Sequence, residues 1–333
     1  MAEKVAVLGA GSWGTTVASL LAAKVPTLLW ARQVEVADDI SSGLGNKRYL
    51  PGFDLDPGLI ATADLSEAVA DSDLVLVAVP TQGFRTVIES VSNVVGPGVP
   101  VVSLTKGFEK GSKLRMTEVV QSVIPEQPVG ILTGPNLAKE ILEGRSSVTV
   151  VAANDLGVTE VLQELLSSER FRVYTNRDLV GCEVGGAMKN VIALAAGMTE
   201  GLEVGDNARA ALITRGLSEM TRLGEALGGQ ARTFAGLTGL GDVLVTCMSP
   251  QSRNRWVGEQ IGRGRIPAEV LDSMDQVAEG VPAAGVICEI AERESVEVPI
   301  AEGVRAVVDQ GRSPVEVWTD LMARRSGPEI TKK

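Results

Sequence analysis

Short aliphatic runs recur through the first half of the chain, each closed by Gly, Pro or a polar residue. Lys4 to Gly9, Thr27 to Trp30, Asp73 to Val79, Val101 to Leu104, Pro128 to Leu132, Val148 to Val151 and Phe171 to Thr175 read as strands. Apolar runs of this length between turn signals fit strands buried on both faces. Longer stretches with helical spacing lie between them, at Thr15 to Ala23, Asn136 to Leu142 and Asp155 to Ser167. Strand signals largely stop near residue 176, and helical patterns follow, with Gly181 to Gly201 and Ala208 to Leu227 the longest. The pattern therefore predicts an α/β unit over residues 1–180, an all-helical unit over 181–325 and a polar tail over 326–333. The boundary falls at 177–182 with no low-complexity linker, so the units should pack closely around a cleft.

Gly181 to Gly201, GCEVGGAMKNVIALAAGMTEG, is the stretch around which the rest is organised. It is rich in Ala, Gly and aliphatic residues and has no Pro, as suits a buried helix packed closely against its neighbours. Yet Lys189 sits in its middle, followed at once by Asn190. Its helical neighbours Gly185, Gly186, Ile192 and Ala193 offer no charge. Two readings stand at this point. The stem can pack while the ammonium reaches solvent, or the ammonium is desolvated and held for chemistry, which lowers its pKa.

The first strand runs into GAGSWG and then a helix, the context in which Gly9, Gly11 and Gly14 form a dinucleotide fingerprint. Gly9 permits the tight turn, Gly11 lets backbone approach a pyrophosphate, and Gly14 lets the helix pack on the strand. The helix N-terminus then faces the phosphates. At the end of the second strand stand Ala31 and Arg32, and the first carboxylate after them is Glu35. Arg32 suits a 2′-phosphate and tilts the cofactor toward NADP(H), with NAD(H) still open. Residues 46–52, NKRYLPG, form a polar loop with two cations and an aromatic ring. Lys106 follows a strand whose carboxyl end should face a ligand. Asn136, after Thr133, Gly134 and Pro135, is capable of capping the helix behind it. Gly236 to Cys247, GLTGLGDVLVTC, reads as a Gly-rich loop carrying Asp242. Soon afterwards Ser252, Arg253 and Asn254 supply hydroxyl, guanidinium and amide donors of the kind that hold a phosphate, or simply start a polar helix.

Composition narrows the chemistry. The 333 residues are 44% hydrophobic with a formal net charge of −11, so the chain is globular and lacks the basic balance of a nucleic-acid binder. Its three cysteines, Cys182, Cys247 and Cys288, show neither zinc spacing nor a disulfide framework, which suits a reducing cytoplasmic compartment. The apolar N-terminal run is too short and too Gly-interrupted for a signal peptide or membrane span. There is no histidine, so proton transfer near neutral pH falls to Lys, a carboxylate, Tyr, Cys or water.

GAGSWG, LLWAR, NKRYLPG, TKGFE, TGPNLAKE, GGAMKNVIALAAGM, ALITRG, GLTGLGD, QSRNR and VAEG, in this order, resemble the bacterial NAD(P)-dependent sn-glycerol-3-phosphate dehydrogenases over nearly the whole chain. The resemblance implies an α/β Rossmann-like N-terminal domain and an all-α C-terminal domain. It also implies reversible reduction of dihydroxyacetone phosphate to sn-glycerol 3-phosphate for phospholipid synthesis, and it allows a homodimer. By motif match Ser12, Trp13, Arg32, Tyr49, Lys106, Ala138, Arg253, Val277 and Glu279 would lie at the cofactor. Lys106, Gly134, Asn136, Lys189, Asp242, Ser252, Arg253 and Asn254 would lie at the substrate, with Lys189 as proton donor and acceptor. Asn136 stands where Ser or Thr is usual, and Gln33 replaces a frequent basic residue beside Arg32.

The chemistry agrees with that assignment. Hydride delivery to a ketone builds negative charge on its oxygen, which a protonated group must stabilise and then protonate. Without histidine, Lys189 is the foremost candidate. A nearby Lys106 would lower its pKa further, and Asp242 would oppose that and hold it in position. Arg253 and Asn254 would clamp the phosphate and so orient the carbonyl. Two other readings remain at this point: a related dehydrogenase acting on a 3-hydroxy acid or sugar acid, and a nucleotide-sensing protein without turnover.

Overall fold

Alternate residues of the first strand enter opposite cores, which is why its sequence reads as an unbroken apolar run. Val5 and Val7 join one hydrophobic cluster, and Ala6 and Leu8 join the other. The structure, a computed structural model, describes residues 2–274 and 276–325, and the polar tail at 326–333 lies outside the described residues.

In chain order the first unit comprises β1 (Val5–Leu8), α1 (Ser12–Ala22), β2 (Thr27–Trp30), α2 (Val34–Ser41), β3 (Ile60–Thr62), α3 (Leu65–Val69), β4 (Leu74–Val77), α4 (Thr81–Val91), β5 (Val101–Ser103), α5 (Met116–Val123), β6 (Val129–Thr133), α6 (Ala138–Leu142), β7 (Ser147–Ala153), α7 (Leu156–Leu166) and β8 (Phe171–Asn176). The strands form one 8-stranded sheet in the order β3-β2-β1-β4-β5-β6-β7-β8. Its first six positions follow the doubly wound order of dinucleotide-binding sheets. All pairings are parallel except β6 with β7. That antiparallel return pairs Thr133 with Val150, so Thr149 lies beside the carboxyl end of β6.

Helices make up the second unit: α8 (Leu179–Gly201), α9 (Asp206–Ala226), α10 (Ala231–Phe234), α11 (Asp242–Met248), α12 (Arg253–Gly262), α13 (Pro267–Asp272), α14 (Gly280–Arg293), α15 (Pro299–Val308) and α16 (Pro314–Ala323). A π-helical turn, Leu237–Gly241, leads directly into α11. The expected Gly-rich loop around Asp242 is therefore helical, and this is a correction. Packing overrides the glycine content: a Cβ on Gly239 would lie 2.0 Å from the Phe234 carbonyl oxygen, so only glycine admits this tight path.

Asp178 starts α8 by accepting a hydrogen bond from the Gly181 amide. The helix is the only described one long and apolar enough to cross a membrane, but 94% of that window is buried inside the protein. It is the core of the second unit. Small residues let its neighbours reach its backbone: a Cβ on Gly258 of α12 would stand 2.1 Å from the Leu194 carbonyl oxygen.

The two units also share a buried charge network. Glu183 of α8 accepts from the Thr117 amide at 2.9 Å and from Arg115 Nη1 at 2.7 Å, at the start of α5. Burial pushes the Glu183 carboxyl up, and Arg115 is the main force opposing that shift.

Candidate functional site

The Gly-rich turn has the shape its sequence predicts. Gly9 has φ of +119°, and a Cβ there would stand 2.7 Å from the Ala78 carbonyl oxygen. A Cβ on Gly14 would lie 2.0 Å from the Gly9 carbonyl oxygen, so α1 packs against the turn only without one. Above Gly11 the space is open. Gly11 caps α1 without a side-chain acceptor for its first amides. Those amides and that space fit the pyrophosphate of a dinucleotide. The helix begins at Ser12, three residues earlier than expected, because the turn winds straight into it.

The NKRYLPG loop is lashed onto this turn. Buried Asn46 donates from Nδ2 to the Ala10 carbonyl and to Thr15 Oγ1, both at 2.9 Å. Ser12 Oγ donates to the Tyr49 carbonyl at 2.9 Å. Trp13 Nε1 is buried there with no partner among the described residues. Arg32 is exposed at the end of β2.

Across the sheet, three expected residues converge. Asp242 is fully buried and each carboxylate oxygen takes one ammonium: Lys189 Nζ at 2.6 Å from Oδ1, and Lys106 Nζ at 2.7 Å from Oδ2. Lys106 comes from the loop after β5 and also donates to the Gly134 carbonyl at 2.9 Å. Lys189 comes from the middle of α8 and also donates to Thr246 Oγ1 at 2.9 Å. The head of Lys189 is thus held inside the protein, which excludes the reading in which it simply reaches solvent.

Gly186 lets α8 come this close, since a Cβ there would meet Thr133 Oγ1 at 3.2 Å and Lys106 Cγ at 3.3 Å. Burial pushes Lys106 down to about 8; Asp242 resists that shift and Lys189 adds to it. With both lysines protonated, two cations face one carboxylate, so the cluster carries an excess positive charge.

Other expected residues are engaged differently. Asn136 does not cap a helix, which is a correction: α6 starts at Ala138 with Leu137 in the cap position. Asn136 Nδ2 instead donates to Thr149 Oγ1 at 3.1 Å, the residue that the antiparallel β7 brings alongside. Its Oδ1 is buried and without a partner among the described residues, as is Thr133 Oγ1. Ser252 Oγ accepts from the Arg255 amide at 3.2 Å and caps α12. Asn254 spans two neighbours, donating to Asn190 Oδ1 and accepting from the Gly280 amide, both at 3.0 Å. Arg253 is open at the surface and donates to the Val277 carbonyl at 2.8 Å. Glu279 Oε1 accepts from the Thr81 amide at 3.1 Å, joining the end of β4 to the second unit. Burial pushes the Glu279 carboxyl up.

Two further residues complete the site without any local sequence signal for that role, Thr246 and Asn190. Thr246 Oγ1 donates to the Asp242 carbonyl at 2.6 Å while accepting from Lys189. Asp242 and Thr246 lie four residues apart on one helical face, a spacing visible only once the stretch is read as helix.

Comparison with known proteins follows the same outline. Residues 4–159 match the family model described as NAD-dependent glycerol-3-phosphate dehydrogenase N-terminus, and residues 178–319 match its C-terminus counterpart. A glycerol-3-phosphate dehydrogenase [NAD(P)+] of Sphingopyxis alaskensis is 49% identical over 329 residues, covering 99% of both chains. One from Mycobacterium avium is 49% identical, covering 98% of this chain and 96% of that one. The crystal structure of a glycerol-3-phosphate dehydrogenase from Coxiella burnetii superposes with a TM-score of 0.93 at 35% identity, covering 97% of this chain and 99% of the other.

Proposed function

The chain belongs to the NAD-dependent glycerol-3-phosphate dehydrogenase family, and from that premise we propose how its residues divide the work of an NAD(P)-dependent oxidoreductase. The reaction is reversible reduction of dihydroxyacetone phosphate to sn-glycerol 3-phosphate. The observation that carries the reading is the buried carboxylate of Asp242 shared by Lys106 and Lys189, one from each unit. Residues 1–180 supply the dinucleotide turn together with Lys106 and Asn136, and residues 181–325 supply Lys189, Asp242, Arg253 and Asn254.

When bound, the nicotinamide cofactor supplies the hydride. The chain's own groups do the rest. Lys189 gives its proton to the substrate oxygen as charge builds there, and in the reverse direction takes it back. Asp242 and Thr246 fix the Lys189 ammonium, so its position is set before the substrate arrives. Lys106, tied to Gly134, adds a second positive charge beside the reacting oxygen. Arg253 binds the phosphate, and the remaining Asn254 N–H and the Asn190 amide support it. Asn136 Oδ1, without a partner among the described residues, would accept from a substrate hydroxyl. Gly9 to Gly14, Ser12, Trp13, Tyr49 and Arg32 would hold the cofactor, and Val277 and Glu279, the latter bonded to the Thr81 amide, would contact it as well.

The same reading includes a role in phospholipid synthesis and a cytoplasmic setting suited to three free cysteines, and it allows a homodimer. A 3-hydroxy acid or sugar acid substrate is disfavoured by family membership along both units.

The test is turnover of dihydroxyacetone phosphate with NADPH or NADH. Lys189→Ala should lower kcat roughly 10²–10⁴-fold, the scale of a lost general acid. Cofactor binding should survive. Lys189→Arg should also be inactive, since Arg keeps the charge but releases no proton near neutral pH. An active Lys189→Arg enzyme would move the proton-donor role elsewhere, to Lys106 or water first.

A further inference from the structure

Arg48 has no part in the assignments above, yet its surroundings are organised. It lies on the loop that Asn46 and Ser12 fasten to the Gly-rich turn, so its backbone is fixed relative to the site for a pyrophosphate. Its Nη1 donates to Gln33 Oε1 at 3.1 Å, and its guanidinium carbon stands 5.5 Å from the Tyr49 ring centroid. Gln33 is next to Arg32 at the end of β2, where the adenosine ribose of a dinucleotide falls in sheets of this order.

Both contacts orient the guanidinium without neutralising it, because a carboxamide and an aromatic ring carry no net charge. Neighbouring carboxylates do not take it either. Asp39 is engaged by Lys47 at 2.8 Å, and among the described residues neither Arg32 nor Arg48 forms an ion pair. Both arginines are exposed, so an incoming anion meets two charged forks with most of their donors unspent.

We propose that Arg48, oriented by Gln33, is the second cation of a 2′-phosphate site whose first is Arg32. Gln33, which stands where a basic residue is frequent, does not weaken the site but delivers the charge of another residue to it. This rests on the reading that Arg32 faces the 2′-phosphate of NADP(H), and it sets the cofactor specificity of the reaction.

The test is calorimetric binding of 2′,5′-ADP and 5′-ADP to the full chain, which needs no turnover. The wild-type protein should bind 2′,5′-ADP more tightly. Arg48→Ala should weaken 2′,5′-ADP roughly 10–100-fold, the worth of a charge-assisted hydrogen bond, and leave 5′-ADP within about twofold. Gln33→Glu should do the same, because the new carboxylate would neutralise Arg48 and repel the phosphate. Arg32→Ala separates the two claims. If it abolishes the preference while Arg48→Ala leaves it intact, the assignment of Arg48 is wrong and that of Arg32 stands. Equal binding of the two nucleotides by the wild type would overturn both.

Discussion

Replacing Asp242 with Asn tests the electrostatic core of the site. The carboxylate is fully buried and holds two ammoniums at 2.6 and 2.7 Å. Asn keeps the shape, but one end of its carboxamide is a donor, so one lysine would face N–H instead of oxygen. Removing one partner from a buried ion pair costs about 3–5 kcal/mol, because the charge left behind is uncompensated. Here two cations are left behind and repel one another. The pH dependence carries a second signature. Lys106 releases its proton at about 8 in the folded protein, against 10.5 for an ordinary lysine. Between those values the unfolded chain binds more protons, so wild-type stability should rise with pH across the window from 8 upward. Asp242 pulls the Lys106 value up, so Asp242→Asn should move the start of that rise below pH 8. Urea unfolding from pH 6.5 to 10, with m held as a check on two-state behaviour, measures both effects. A variant that loses less than about 1 kcal/mol at pH 7, well under the cost of a broken buried pair, and follows the wild-type pH profile would refute the charged-triad reading.

Two further outcomes follow from the same structure. Arg253→Ala should raise KM for dihydroxyacetone phosphate by about tenfold or more, since a charge-assisted bond to phosphate is lost, and should leave the slow reduction of unphosphorylated dihydroxyacetone unchanged; equal slowing of both ketones would remove Arg253 from the phosphate. Glu219, buried on α9 and accepting from the Ile300 amide at 2.8 Å, is pushed up to about 7 by burial. The folded protein therefore holds a proton there that the unfolded chain gives up near 4.5, so stability should fall as pH rises from 4.5 to about 7. Denaturant midpoints for Glu219→Gln should lose that slope, and an unchanged slope would assign it to another group.

The central strands were legible because each is apolar on both faces, so a continuous run survives in the sequence. β3 was not, since it has three residues at the sheet edge and Ile60 is exposed. Asn136 has the chemistry of a helix cap, but a threonine hydroxyl on the returning β7 is the partner it takes. Local capping preference lost to a tertiary contact that no local rule contains. The π-helical turn before Asp242 was hidden by its glycines, which read as a loop until the Phe234 backbone is seen pressed against Gly239. Thr246 was lost with it. Lys106 and Asp242 are 136 residues apart, and nothing in either neighbourhood announces the other.

The number of charges in this cluster matters more than their identity. Two lysines without a carboxylate would repel, and one would be neutral or turned away at neutral pH. Two lysines with two carboxylates would be balanced, leaving no attraction for a ketone oxygen gaining negative charge. One carboxylate between two lysines holds both ammoniums in position and leaves one positive charge over. In the proposed reaction that excess would be fixed before the substrate enters, so no reorganisation would be needed as charge develops. The arrangement also requires both units, because Lys106 follows a strand of the sheet while Lys189 and Asp242 belong to the helices. Glu183 and Arg115 hold α8 against the start of α5, so the helix that carries Lys189 is fixed to the sheet domain independently of the triad. On the proposed roles, the geometry of the Lys106–Asp242–Lys189 cluster is therefore a property of domain packing, and loosening the Glu183 contact should disturb the cluster without touching any residue in it.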